Sequence, residues 1–195
     1  STSAFTAAVE HFKKYVEEVT QRYPSPNKGL VVDIGSNDGT ALRFFKNQGF
    51  QVLGIDPAEA IANQATQSGI ETISDFFTSE LAEEIREKHG PARFVTANNV
   101  FAHSDQLPDM ADGIYEMLTD DGIFVFEVSY LVDIIEKLLF DTVYHEHLCF
   151  HSIKPLQSFF IRHGLDLIDI QRLPAKGGSI RGYVQRSGGP HTVAP

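Results

Sequence analysis

Three histidines, His145, His147 and His151, fall within the segment FDTVYHEHLCFHSIK at 140–154, beside Tyr144, Glu146 and Cys149. Imidazole, phenol and carboxylate take up and relay protons near neutral pH, so this density points to general acid–base work. Other uses of the same groups stay open. His145 and His147 could chelate a metal with His151, Glu146 or Cys149, although no second cluster with ligand spacing accompanies them. Cys149 could be a nucleophile, but Leu148 and Phe150 around it suit a buried, inert thiol. The cluster could also serve hydrogen bonding alone. His103, which follows the asparagine pair Asn98-Asn99, is a further proton-carrying candidate, or else a residue that caps a helix start.

A second set of residues reads as a nucleoside site. It comprises Asp33, Gly35, Ser36, Asn37, Asp38 and Gly39, followed by Asp56 and Pro57. The apolar run at 30–34 suits a strand buried on both faces, and glycines follow it where a side chain would obstruct a ligand. A helix predicted from residue 40 starts at this turn, with free N–H groups for a carboxylate or phosphate. A second strand predicted at 51–55 ends in Asp56, whose carboxylate can accept from two ribose hydroxyls. A dinucleotide turn needs G-x-G-x-x-G, and Asn37 stands where the second glycine would admit the pyrophosphate, so NAD is disfavoured. Asp33 and Asp38 instead suit a positively charged ligand, as the sulfonium and amino groups of S-adenosylmethionine are. The residues beyond the next strands complete the set. Asp75, Phe76 and Phe77 could meet the adenine, although both phenylalanines equally suit the core. Asn98 and Asn99 could meet the methionine part or the acceptor.

Alternating helices and strands are required to position these groups. Phe5, Val9, Phe12, Val16 and Val19 recur at helical steps and predict an N-terminal helix within 1–23, stopped by Pro24-Ser25-Pro26-Asn27. Helices are then predicted at 58–68, 79–89, 109–118, 130–139 and 155–163, and strands at 70–73, 93–97, 122–128, 165–170 and 179–185. The link at 174–178 is too short for a crossover helix, so the last two strands are expected to be antiparallel. The fold class is α/β, a mostly parallel, Rossmann-like sheet closed by one C-terminal antiparallel strand. Its core spans 28–187 with an insertion at 140–154, and the Gly- and Pro-containing end, 188–195, reads as a loose tail.

The bulk properties narrow the functional classes. Sixteen basic against 26 acidic residues give a net charge of −10 with no Lys/Arg cluster, so the electrostatic footprint for nucleic acid is missing. The single cysteine excludes an internal disulfide framework, and no apolar run is long enough to span a membrane. A soluble, cytoplasmic protein with a small-molecule substrate is expected. The chain opens at Ser1 without a signal-peptide pattern, and is expected to be a piece of something longer.

Six stretches share their order with a known group: VVDIGSNDGT at 31–40, GIDPA at 54–58, NNVFAHSDQL at 98–107, GIFVFEVSYL at 122–131, FDTVYHEHLCFHS at 140–152 and GGSIRGYV at 177–184. Together they resemble the S-adenosylmethionine-dependent C-methyltransferases of deoxysugar nucleotides, and the YHEH segment is the most specific. The resemblance covers the methyltransferase core, without the family's small zinc module or its C-terminal domain. It implies a class I methyltransferase fold with S-adenosylmethionine as donor, S-adenosylhomocysteine as product and a nucleotide-linked sugar as acceptor. It also implies methyl transfer to a carbon next to a ketone, which becomes nucleophilic only after losing a proton. His147 matches the family's candidate base, and Tyr144, Glu146 and His103 match residues that orient the base or stabilise the enolate. Lys176 stands where the family often has histidine. Methylation of oxygen or nitrogen, or a non-catalytic domain that keeps the cofactor site, are the alternative readings.

Overall fold

Seven strands and seven α-helices appear among the residues described by the computed structural model, which are 2–143, 145 and 147–194, with side chains from residue 7 onward. The chain forms two compact units, 1–77 and 78–195. In the first, helix α1 (Thr2–Arg22) buries Val16 and Val19 from the predicted stripe, together with Tyr15. It packs against α2 (Thr40–Asn47), whose buried face carries Leu42 and Phe45. Strand β1 (Leu30–Ile34) is buried at every position, as its unbroken apolar run predicts. It pairs in parallel with β2 (Gln51–Ile55), which pairs in parallel with β3 (Thr72–Ile73), and α3 (Glu59–Gln67) connects the last two. Strand β3 is shorter than predicted because Ile70 closes the end of α3, its N–H donating to the Ala65 carbonyl at 3.0 Å. Gly54 lies opposite Asp33 on one side and Thr72 on the other. A Cβ there would stand 2.4 Å from Ser36 Oγ and 2.7 Å from Thr72 Oγ1, so the missing side chain lets the strand ends close up around the turn.

The second unit opens with α4 (Ser79–His89), capped by Thr78 Oγ1, which accepts from Leu81 N at 3.1 Å. Helix α4 packs on α5 (Leu107–Met117), and strands β4 (Ala92–Asn98) and β5 (Leu118–Ser129) run parallel. Strand β7 (Ser179–Arg186) is antiparallel both to β5 and to β6 (Leu165–Leu173), as the short connection requires. Phe101, Phe124, Phe126 and Phe160 fill the space under α7 (Ile153–Arg162), each fully buried. Their rings lie 5.6 to 6.2 Å apart, and such pairs add about 0.5–1.5 kcal/mol each beyond area burial. Helix α6 (Leu131–Glu136) ends earlier than the predicted 139. Leu138 adopts a left-handed φ of 53°, and a short 3-10 turn, Phe140–Thr142, follows. The segment expected as a loose tail is tied down. The buried Gln185 side chain holds the His191 backbone from both sides, Nε2 donating to its carbonyl at 2.8 Å and Oε1 accepting its N–H at 3.0 Å. Ala194 N then donates to the Ile168 carbonyl at 2.8 Å.

Candidate functional site

The turn after β1 is built around one carboxylate. Asp56 is buried, and its Oδ2 accepts from Asn37 N at 2.9 Å while Oδ1 accepts from Ala58 N at 3.0 Å. Gly35 N and Ser36 N both donate to the Ile55 carbonyl, which fastens the turn to the end of β2. Gly35, Asn37 and Gly39 all take left-handed backbone angles, and a Cβ on Gly39 would press within 2.9 Å of Ile70. Asp56 therefore organises the turn itself, and each of its oxygens keeps lone-pair capacity for a further donor. Asp38 is engaged more locally, with Oδ1 accepting from Thr40 N at 3.0 Å and from Thr40 Oγ1 at 2.6 Å. That bond covers an N–H of the first turn of α2. Asp33 is buried in β1, and Pro57 follows Asp56 on the surface.

Beyond β3 the two phenylalanines part company. Phe77 is buried, whereas Phe76 is 71% exposed beside the exposed Asp75, whose Oδ1 accepts Phe76 N. An aromatic face so open to water suits a stacking partner better than core packing. Among the described residues, Ser36 Oγ and both ends of the Asn98 amide are shut off from solvent without a hydrogen-bond partner. Such groups cost about 1–3 kcal/mol each until something supplies the missing bonds, so each by itself is suited to a polar ligand.

In the second unit, Asn98 ends β4, and Asn99, in a left-handed conformation, donates its N–H to the Glu127 carbonyl at 2.8 Å. Glu127 and Arg181 face each other across β5 and β7 and form an ion pair of 2.6 Å, with both side chains 3% exposed. Sequence reasoning passed over this pair. The available signal was a lone charge within the buried run of each strand, 122–128 in β5 and 179–185 in β7.

The histidine segment is bound to the stretch after β4. Leu148 N and Cys149 N both donate to the Ala102 carbonyl, and His151 Nε2 lies 3.3 Å from the Phe101 carbonyl. This brings His103 and His147 together, with ring centroids 5.0 Å apart and planes at 74°. His147 Nδ1 is 2.8 Å from the Thr142 carbonyl. A carbonyl only accepts, so Nδ1 is the nitrogen that carries the proton in this contact, and Nε2 is the acceptor atom of that tautomer. His145 is exposed. Burial pushes the His151 pKa down and the Cys149 thiol up, so the first stays neutral and the second stays protonated. Tyr144 and Glu146 lie outside the described residues.

The parallel strands with an antiparallel strand after them, and the glycine turn secured by an acidic strand end, define an α/β protein of the class I S-adenosylmethionine-dependent methyltransferase type. The chain belongs to the methyltransferase domain family, whose model matches residues 8–170. It is 37% identical over 187 residues to the C-methyltransferase NovU of Streptomyces niveus, covering 96% of this chain and 44% of that protein. The chain thus spans less than half the length of that relative. A putative methyltransferase of Geobacillus sp. (strain WCH70) is 23% identical, over 80% of this chain and 70% of its own length. Among solved structures, magnesium protoporphyrin IX methyltransferase from Synechocystis PCC 6803 with bound S-adenosylmethionine superposes with a TM-score of 0.66 at 14% identity, covering 93% of this chain and 81% of that one. The Burkholderia thailandensis 1,6-didemethyltoxoflavin-N1-methyltransferase, bound to S-adenosylhomocysteine, gives 0.67 at 20% identity, covering 93% and 79%. This chain is a methyltransferase domain, and S-adenosylmethionine is its cofactor.

Proposed function

We propose that the domain transfers a methyl group to a carbon next to a ketone in a nucleotide-linked deoxysugar, with His147 as the base that first removes the proton from that carbon. The observation that carries this reading is the contact between His147 Nδ1 and the Thr142 carbonyl, which fixes the tautomer whose Nε2 can accept a proton. The same carbonyl steadies the imidazolium once Nε2 is protonated, because a positive ring donates a stronger bond from Nδ1. His103, beside the base, faces the oxygen that gathers negative charge. Tyr144 and Glu146, by the family resemblance, orient the base or donate to that oxygen. The 37% identity to a protein named as a C-methyltransferase supports carbon over oxygen or nitrogen as the acceptor atom.

For the donor, the first unit contributes Asp33, Gly35, Ser36, Asn37, Asp38, Gly39, Asp56 and Pro57 around the turn, and Asp75, Phe76 and Phe77 beside the adenine. Asn98 and Asn99 hold its methionine part. When bound, S-adenosylmethionine supplies an electrophilic methyl group on a positively charged sulfur.

Solvent exchange tests this reading. In deuterium oxide, with S-adenosylhomocysteine in place of the donor, the intact protein is expected to exchange the proton next to the ketone of a nucleoside-diphosphate keto-deoxyhexose. His147→Ala and His147→Asn are expected to lower that exchange by about 10²- to 10⁴-fold. The Asn variant keeps a donor for Thr142, so its failure isolates the base. Methylation that proceeds without exchange, or that His147→Ala leaves intact, overturns the proposal and returns oxygen or nitrogen as the acceptor.

A further inference from the structure

We propose that Lys176 is a substrate-facing cation of the same site, whose ammonium donates to an anionic oxygen of the acceptor. The inference rests on the C-methylation reading above. Lys176 sits in the tight connection between β6 and β7, inside the 3-10 turn Ala175–Gly177, at φ 52° and ψ 35°. A left-handed backbone is strained for a residue with a Cβ, and such strain persists only where its surroundings over-determine it. Here they do. A Cβ on Gly178 would fall 2.3 Å from Asp133, and one on Gly177 would fall 2.8 Å from Leu139. Lys137 Nζ donates to the Gly177 carbonyl at 2.6 Å, Tyr130 N donates to the Gly178 carbonyl at 3.1 Å, and Ser179 Oγ donates to the Ala175 carbonyl at 3.0 Å. Asp133, fully buried, holds Lys137 at 2.6 Å and Arg172 at 2.7 Å.

So rigid a turn presents its one lysine in a fixed place, and the turn packs against the segment that carries the base. Leu139, which packs against Gly177, accepts Thr142 Oγ1 at 2.7 Å on its carbonyl, and the Thr142 carbonyl in turn holds His147. Lys176 and His147 are therefore carried by one continuous piece of scaffold. Among the described residues the Lys176 ammonium has no hydrogen bond or ion pair, although it lies close enough to Glu127 to feel its charge. Glu127 is already bonded to Arg181 through Nε and Nη2. The lysine side chain as a whole stays open to water, while burial of its charged end pushes the pKa below the ordinary lysine value. A partly desolvated cation with no protein partner among the described residues, held in a strained turn on the scaffold that also carries a proton acceptor, is suited to an anion that arrives with the substrate. Two oxygens have that chemistry, the phosphate of a nucleotide-linked acceptor and the ketone oxygen after its neighbour loses a proton.

Lys176→Gly removes the ammonium and relieves the left-handed strain, Lys176→Asn tolerates the same backbone, and Lys176→Arg keeps the charge. In the intact protein with the nucleoside-diphosphate keto-deoxyhexose, kcat/KM is expected to fall about 10- to 100-fold in Gly and Asn and to recover in part in Arg, with S-adenosylhomocysteine affinity unchanged. A rise in KM alone assigns the phosphate, and a fall in kcat and in proton exchange assigns the ketone oxygen. The inference is overturned if the Gly and Asn variants stay within about twofold of the parent, or if Arg restores nothing. A parent protein that neither exchanges nor methylates the probe overturns the reading above and this inference with it, whereas an active parent indifferent to Lys176 overturns this inference alone.

Discussion

Asp56→Asn separates the part Asp56 plays in building the turn from its part in holding a nucleoside. In the parent each carboxylate oxygen accepts one backbone N–H, from Asn37 at 2.9 Å and Ala58 at 3.0 Å. An asparagine amide offers one acceptor oxygen and one NH₂ group, so whichever way it turns, a donor faces a donor on one side. One charge-assisted bond is lost and one buried N–H is orphaned, for a combined cost of about 2–3 kcal/mol. For a chain of this size, that lowers the unfolding midpoint by roughly 4–12 °C. Thermal unfolding without ligand reads the first effect. Calorimetric titration with S-adenosylhomocysteine reads the second, and a weakening of at least about tenfold is expected because the turn and the ribose acceptor are damaged together. If the midpoint moves by less than about 1 °C and the affinity stays within about twofold, the carboxylate is not what organises this turn.

Gly178→Ala drives a methyl group into Asp133, which is expected to cost about 1–3 kcal/mol in a denaturant titration on top of the strain of a Cβ at φ 154°, whereas Gly188→Ala meets nothing within 4 Å and is expected to cost only the strain of its left-handed φ of 78°, about 1–2 kcal/mol. Acid weakens the fold in two steps that pH-dependent denaturation separates. His151 and His191 have folded-state pKa values held down by burial, so the unfolded chain binds protons first and stability declines as pH falls below about 6.5. Asp133, lowered to about 2 by its bonds to Arg172 and Lys137, contributes stability that is present above about pH 4 and is lost as pH falls through 2. Asp133→Asn is expected to remove the lower step only. Cys149, its thiol pKa raised by burial, is expected to react with iodoacetamide at pH 7.5 far more slowly in the folded protein than in denaturant, and equal rates would show an exposed thiol.

Strand β1 was legible to the residue because a run buried on both faces, bounded by Gly29 and Gly35, leaves little freedom of register, and β2 matched 51–55 as well, its buried half ending at Asp56. The pairing of His103 with His147 was foreseen only through motif resemblance, and it arises from backbone bonds between 148–149 and Ala102 that no local pattern announces. Helix α6 was read too long because 137–139 keeps helical composition, while Leu138 turns left-handed against it. Nothing in the stretch LVDIIE marks Asp133 as buried. Its partner Arg172 and its neighbour Gly178 lie some forty residues away in sequence, so its burial is a tertiary outcome. The Glu127–Arg181 pair was missed for the same reason, since each charge reads alone as an anomaly and only the register of β5 on β7 makes them partners. Breaking such a buried pair from one side costs about 3–5 kcal/mol.

Gln185 and the segment it holds bear on how the margin of the sheet is protected. By copying the hydrogen bonds of a peptide group, the Gln185 amide steers residues 191–194 back to β6, where Ala194 occupies the Ile168 carbonyl. A strand at the margin of a sheet otherwise offers a ladder of open acceptors and donors to any extended chain that meets it. Gln185→Ala is therefore a change whose visible consequence would be concentration-dependent self-association rather than a loss of chemistry.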